Sequence, residues 1–315
     1  MHANPNSIRS RVVLEIAAEM VTGEREFQQA KVMIRPPGKK EWPVCLHSSS
    51  TFEGFEAVMK READLAMINP AAALTLALRG SAPFASPQPV RTIAVIPSHD
   101  QFVFAVTSDT GLKTFEDIAA RRSPLRIGLR GQRDHFLQHM LAGVASAAGF
   151  RLDDIRDWGG ELHYEGGGPP TPDERRFQAL ARGELNALFD EGAHSWIEAA
   201  IDAGLTILPL AEATVKKLEA LGYRRGILAK SAFPRLPADV LTIDFSGWPI
   251  FVHAEASDRL VTKICAALNA RKHLIPWQGD GPLPVERMCR DAPDTPIDVP
   301  LHPAAEKFWR ECGYL

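Results

Sequence analysis

The sequence predicts an α/β protein of two lobes, each a mixed sheet flanked by helices, with a ligand cleft between the lobes. Two observations carry that expectation. Segments with helical and strand periodicity alternate along most of the 315 residues, the pattern of layered α/β domains. One helix–turn–strand unit also occurs twice: Phe55-Glu-Ala-Val-Met-Lys-Arg-Glu-Ala-Asp-Leu65 returns, in register and without a gap, as Phe177-Gln-Ala-Leu-Ala-Arg-Gly-Glu-Leu-Asn-Ala187. Repeats at so long a spacing mark duplicated structural units, although charged turns of the Glu-x-Asp and Glu-x-Asn kind also recur by chance.

Taken in order, residues 10–21 read as a helix, and residues 31–34 and 44–47 as strands. Ser48-Ser-Ser-Thr51 then opens a helix, with Ser50 and Glu53 at the spacing of a capping box. The first copy of the repeat ends in a strand at 65–68, followed by a helix at 70–79 and two strands at 91–96 and 101–107. Thr114 and Asp117 start a short helix that leads to a strand at 125–129, the turn Arg130-Gly-Gln-Arg-Asp134 and a helix at 135–148. A strand at 162–164 and the loop Gly166-Gly-Gly-Pro-Pro-Thr-Pro172 precede the second copy, whose strand, 187–189, leads to a helix at 193–203. Beyond it come a strand at 206–210, a helix at 211–221, strands at 240–245 and 249–253, and helices at 258–274 and 303–312. The last hundred residues hold too few strands for a third domain, so the lobes interleave: residues 1–107 with 239–315 form one, and 108–238 the other.

Composition narrows the function. The net charge is −3, and basic pairs such as Lys39-Lys40, Arg121-Arg122 and Arg224-Arg225 are too small for a nucleic-acid partner. Cys45, Cys265, Cys289 and Cys312 stand far apart without a CxxC pair or a nearby histidine, so no metal site or cofactor is expected; a disulfide between Cys289 and Cys312 stays open. No stretch approaches the roughly 20 apolar residues of a membrane span. The first ten residues lack a signal-peptide core, and the apolar run after them is broken by Glu15 and Glu19, so the chain as written carries no export signal.

Three loops join a strand end to a helix start and gather small or polar residues. Helix N-termini present unpaired N–H groups and a partial positive charge, so Ser49, Ser50 and Thr51, together with Gly131, Gln132 and Arg133, suit a carboxylate. An arginine fork, from Arg133 or its neighbour Arg130, would add charge-assisted bonds. Ser50 serves equally as a plain N-cap. Asn69 ends the first repeat's strand, and Asp190 and Glu191 end the second, where they would receive an ammonium or hydroxyl group. Catalytic residues are not expected: adjacent carboxylates point apart, no third group completes an acid–base set, and no Gly-x-Ser-x-Gly elbow surrounds Ser195. His47, His163 and His253 sit beside apolar runs as core or edge residues, and Gly166-Gly-Gly168 lacks the Lys-Ser of a phosphate loop.

The closing segment, Pro300-Leu-His-Pro-Ala-Ala-Glu-Lys-Phe-Trp-Arg-Glu-Cys-Gly313, resembles the C-terminal signature of the TAXI family of TRAP-transporter solute receptors, relatives of the NMT1/THI5-like periplasmic binding proteins. Ser48-Ser-Ser-Thr51, Glu62-Ala-Asp64 with Asn69-Pro70, Phe115-Glu-Asp-Ile118 before Arg126-Ile-Gly-Leu-Arg130, and Gly183-Glu-Leu-Asn-Ala187 follow in the same order, so the resemblance covers roughly residues 45–315. It implies a type II periplasmic-binding-protein fold that closes about a hinge, a small organic acid or amino acid as ligand, TRAP membrane subunits as partners, and a periplasmic location. The family opens with an exported leader, a first strand and a Gly-rich turn, whereas this chain starts at the helix that follows that strand. The rival readings are an enzyme on the same architecture, of the pyrimidine-forming or menaquinone-pathway kind and using His47 or His99, and a cytoplasmic ligand-sensing module. Neither an iron-binding cysteine motif nor an N-terminal DNA-binding helix pair is present to favour them.

Overall fold

The computed structural model describes residues 5–23, 29–35, 44–49 and 52–315. The chain opens with helix α1 (Pro5–Gly23), the antiparallel strands β1 (Ala30–Ile34) and β2 (Val44–Ser48), helix α2 (Phe52–Met59), strand β3 (Leu65–Met67), helix α3 (Ala71–Arg79) and strand β4 (Val90–Ile96). Helical spacing puts Gly54, Phe55, Ala57 and Val58 of α2 on its buried face. Helix α3 stops where Gly80 adopts φ +68° and turns its N–H back onto the carbonyls of Leu76 and Ala77.

The middle of the chain builds a second set: β5 (Val103–Thr107), α4 (Asp117–Arg121), β6 (Arg126–Leu129), α5 (Phe136–Ala147), α6 (Leu152–Asp157), β7 (Glu161–Tyr164), α7 (Arg175–Ala181), β8 (Ala187–Asp190), α8 (Ala193–Asp202), β9 (Leu205–Ile207) and α9 (Glu212–Leu221). A ribbon of β10 (Arg224–Leu228) and β11 (Val240–Asp244) follows, then β12 (Trp248–His253), α10 (Asp258–Arg271), α11 (Val285–Met288) and α12 (Pro303–Glu311).

Two five-stranded mixed sheets result, each flanked by helices, as expected for the α/β class. Their strand orders are β1-β2-β3-β12-β4 and β7-β6-β8-β5-β9. In each sheet the repeat's strand pairs in parallel on one side, β3 with β2 and β8 with β6, and antiparallel on the other, β3 with β12 and β8 with β5. Thus β12 and β5 are exchanged strands: β5 follows β4 of the first sheet, and β12 follows β9 of the second by way of α9 and the β10–β11 ribbon. The sheet boundary therefore falls between β4 and β5, ahead of the lobe boundary expected at residue 107. The β-rich run bounded by turn residues marks residues 101–107 as a strand but does not say which sheet it joins. Three short elements, α6, β10 and α11, escaped the sequence reading because charged residues interrupt their apolar periodicity.

Two connections, residues 97–102 and 245–247, carry the chain between the sheets and lie against each other. Phe245 N donates to Asp100 O at 2.9 Å, and Gly247 N to Ser98 O at 2.9 Å. Apolar contacts also cross between the sheets. Phe136, at the start of α5, packs among Phe52, Phe55 and Phe84 of the first lobe, with its ring centroid 4.3 Å from that of Phe52. Ala72 and Leu76 of α3 reciprocate by joining the second lobe's core.

The closing segment, residues 300–313, docks through α12. His302 caps the helix, its Nδ1 accepting from Ala304 N at 3.2 Å, and the fully buried Trp309 donates through Nε1 to Ile93 O of β4 at 2.9 Å. All four cysteines are free thiols, Cys289 and Cys312 among them. No helix among the described residues is long and apolar enough to cross a membrane.

Candidate functional site

The strand ends of both sheets meet at the interface. Each copy of the repeat delivers one residue there: Asn69, just past β3, and Glu191, just past β8. They are 122 residues apart, and Asn69 Nδ2 donates to Glu191 Oε1 at 3.0 Å. The same offset relates the first residues of β3 and β8, and of α3 and α8, so equivalent positions of the duplicated unit touch across the lobes.

Behind Glu191 lies a buried charge network. Asp190, with no exposed surface, receives Arg130 on Oδ1, from Nε at 2.8 Å and from the terminal nitrogen at 2.6 Å, and Arg176 on Oδ2 at 2.9 Å. Arg130 also reaches Glu191 Oε1 at 3.2 Å, while Arg176, itself fully buried, pairs with Glu174 at 3.1 Å and donates to Gly168 O. Close approach of α7 to the sheet makes this possible. Arg176 Cβ of α7 lies 3.5 Å from where a Cβ on Gly128 of β6 would stand, and that Cβ would also press on Leu188 Cδ2 at 2.7 Å and Leu185 Cδ1 at 2.9 Å. Gln138 Nε2 holds the loop after β6 by donating to Arg130 O at 3.1 Å.

Two helix N-termini at this interface are already occupied by groups from the inter-lobe connections. The carboxylate of Asp100 accepts from Gly192 N at 2.7 and 2.8 Å and from Ala193 N at 3.1 Å, closing the start of α8. Gly192 adopts φ +71°, and a Cβ on it would strike Pro169 Cγ at 2.4 Å. At the equivalent start of α3, Ala71 N donates to Ser246 O at 3.3 Å. Asp100 and Ser246 are themselves joined, with Asp100 N donating to Ser246 Oγ at 3.0 Å. A third helix start, that of α5, is capped by His135, whose Nδ1 accepts from Leu137 N at 3.1 Å.

Burial sets the protonation states. It pushes the Glu191 carboxyl up to about 8, with Arg130 pulling against Asp100 and Asp190. It pushes Asp100 up to about 6, restrained by the N–H groups of Ala193, Gln101 and Gly192. Burial, reinforced by the Arg130 charge, drives His135 down to about 3, so its ring is neutral and accepts the Leu137 N–H. Arg130 is held charged by Asp190 and Glu191, although burial opposes it.

Of the residues expected to line a cleft, Asn69, Asp190 and Glu191 are brought together. Ser49 is buried at the end of β2, and Ser50 and Thr51 lie outside the described residues. Gly131 is exposed and donates its N–H to Gly166 O at 2.9 Å; Gln132 is half-buried; Arg133 is exposed, its guanidinium 4.5 Å from the Tyr164 ring centroid. It is Arg130, the alternative arginine of that loop, that points into the network. Asp100 and Arg176 were not anticipated. Arg176 is embedded in the charged run Asp173-Glu-Arg-Arg176, which reads as a solvated turn, and Asp100 lies between apolar strands with no motif around it. Among the histidines named for the enzyme reading, His47 is buried in β2 and His99 is exposed beside the first connection.

No protein-family model matches the sequence, and no curated protein matches it either. Among solved structures, the alkanesulfonate-binding protein SsuA from Xanthomonas axonopodis pv. citri, bound to MOPS, is similar at 17% identity and a TM-score of 0.34, over 70% of this chain and 58% of SsuA. An ancestral arginine-binding protein bound to arginine gives 14% identity and a TM-score of 0.33, over 70% of this chain and 72% of that one. A choline-binding protein of an ABC transporter, in complex with choline, gives 14% identity and a TM-score of 0.35, over 66% of this chain and 60% of its own. The chain thus spans under two thirds of the length of SsuA and of the choline-binding protein.

Proposed function

We propose that this chain is a solute-binding receptor, not a catalyst, which captures a small carboxylate-bearing solute between its lobes and hands it to TRAP-type membrane subunits in the periplasm. The observation that supports this most directly is the meeting of strand ends from two separate sheets beside a paired inter-lobe connection. Ligands of open α/β sheets settle outside the carboxyl ends of strands, and here both sheets turn those ends toward each other. In this reading the lobes, residues 1–107 with 239–315 and residues 108–238, part about residues 97–102 and 245–247, with β5 contributed to the second lobe. The solute's carboxylate takes donors from Ser49, Ser50 and Thr51 and from Gly131, Gln132 and Arg133. Asn69 and Glu191 face its ammonium or hydroxyl group, with Asp190 behind them holding Arg130 and Arg176. Arg133 suits the first role because no carboxylate pairs with it among the described residues, unlike Arg130 and Arg176. Delivery to TRAP subunits and the periplasmic location rest on the resemblance of residues 300–313.

A melting screen against organic acids and amino acids tests the reading. Binding to the native state alone stabilises by RT ln(1 + [L]/Kd), about 2.7 kcal/mol at a hundredfold excess over Kd. Carboxylates should raise the melting temperature and neutral isosteres should not. Arg133→Ala should weaken binding on the order of tenfold to a hundredfold, the worth of a charge-assisted bond, with the apo fold intact. Indifference of that variant would remove Arg133 from the site, and consumption of the acid during the assay would favour the enzyme reading instead.

A further inference from the structure

The bond between Asn69 and Glu191 leaves two oxygens over. Asn69 Oδ1 and Glu191 Oε2 are both shut off from solvent and have no donor among the described residues. Neither residue lines the cavity of about 460 Å³ between His99, Asp244 and Asp291 or that of about 280 Å³ beside His253. A carboxamide and a carboxyl group already joined by one hydrogen bond need only one hydrogen to close a two-bond ring: N–H to Oε1 on one side, O–H to Oδ1 on the other. Turning the amide over would not help, since it would set Oδ1 against Oε1.

We infer that the interface is a binding site for one proton, carried on Glu191 Oε2 and donated to Asn69 Oδ1, and that this proton latches the two lobes together. The charged groups facing Glu191 pull in both directions, with the two carboxylates on the side of the proton. From the loop after β6, Arg130 touches Oε1 at 3.2 Å and favours the ionised form, but its closer contacts, at 2.6 and 2.8 Å, go to Asp190. From β8 and from the first connection, Asp190 and Asp100 oppose a second negative charge. From α8, Trp196 engages only the Glu191 backbone carbonyl, at 2.9 Å. Burial raises both carboxyls, but Asp100 is held ionised by the N–H groups of Gln101, Gly192 and Ala193, which leaves the proton to Glu191. Losing the proton sets a buried carboxylate oxygen against a carbonyl oxygen with no donor between them, a penalty relieved by parting the lobes and admitting water.

Scattering and infrared spectroscopy of the whole chain, titrated without solute, test this. Wild-type protein should show a protonated-carboxyl band at neutral pH that disappears as pH rises through about 8. One proton should leave per molecule, and the radius of gyration should grow over the same range with the circular dichroism of the helices unchanged. Glu191→Gln keeps both hydrogen bonds to Asn69, so it should stay compact and lack the band. The inference is overturned by the absence of a carboxyl titrating in that range, by a Glu191→Gln variant that expands as the wild type does, or by an expansion that coincides with loss of helix signal. No solute enters either measurement, so failure here and failure of the receptor reading are separate results.

Discussion

Arg130 shows how one side chain can be recognised as important and still be given the wrong partner. The sequence marks it as a polar residue at a strand end, and marks Asp190 and Glu191 in the same way, but nothing local says that these three close on one another 60 residues apart. That pairing depends on β6 and β8 lying side by side, and the burial of Arg176 depends on α7 folding over both. Removing Arg130 leaves the fully buried Asp190 with Arg176 alone, so Arg130→Ala should cost about 3–5 kcal/mol, read by denaturant unfolding, as for any broken buried pair. A loss under about 1 kcal/mol would mean that water reaches Asp190 and that the network is not sealed. Glu191 adds a pH dependence of definite sign. Its folded value lies near 8 against 4.5 when exposed, so the native state holds the extra proton between those values. Its contribution to stability is therefore fully present below about 4.5 and is lost as pH rises through about 8. Wild-type stability should fall across that window faster than that of Glu191→Gln, and parallel curves would disprove the assignment.

At the scale of elements, the repeat read from the sequence acquires a physical cause. Asp64 and Asn186 occupy the same position in the two copies and do the same work. Asp64 Oδ2 accepts from Cys45 N at 2.8 Å while Asp64 N donates to Cys45 O at 2.9 Å; Asn186 Oδ1 accepts from Arg126 N at 2.7 Å while Asn186 N donates to Arg126 O at 3.0 Å. Each turn residue thus clasps the parallel neighbour of its own strand, β2 in one lobe and β6 in the other, and sets the register of the pair. The Glu-x-Asp and Glu-x-Asn turns are therefore clasps, not chance recurrences. Since only an acceptor is required, Asp64→Asn should be close to neutral. Asp64→Ala and Asn186→Ala should each cost about 1–3 kcal/mol in thermal unfolding by stranding a backbone N–H. Equal losses for Asp64→Asn and Asp64→Ala would show that charge, not the acceptor, matters. The repeat was legible because it is local; the strand exchange of β5 and β12 was not, since each strand's partners come from far along the chain.

For the whole molecule, the decisive feature is the apolar packing that crosses between the two sheets. Phe136 is buried among first-lobe aromatics and Leu76 in the second-lobe core, so opening exposes apolar surface on both sides. Full exposure of such side chains costs about 1.5–3 kcal/mol each. On the proposed receptor reading, a solute that enters between the lobes binds only the open fraction, and its apparent affinity is reduced by that fraction. Loosening the seam should therefore tighten binding. Phe52 is the place to do it: half-buried, its ring stacks on Phe136 at 4.3 Å and at 27°, and it takes no part in the charge network. Losing an aromatic pair worth about 0.5–1.5 kcal/mol should raise the open population about twofold to tenfold. Phe52→Ala should thus show a lower melting temperature and a larger radius of gyration without solute, the same compact form with it, and a severalfold lower apparent Kd by calorimetry. Weaker binding from a variant whose solute-free scattering matches the wild type would mean that Phe52 contacts the solute and that the seam does not govern entry.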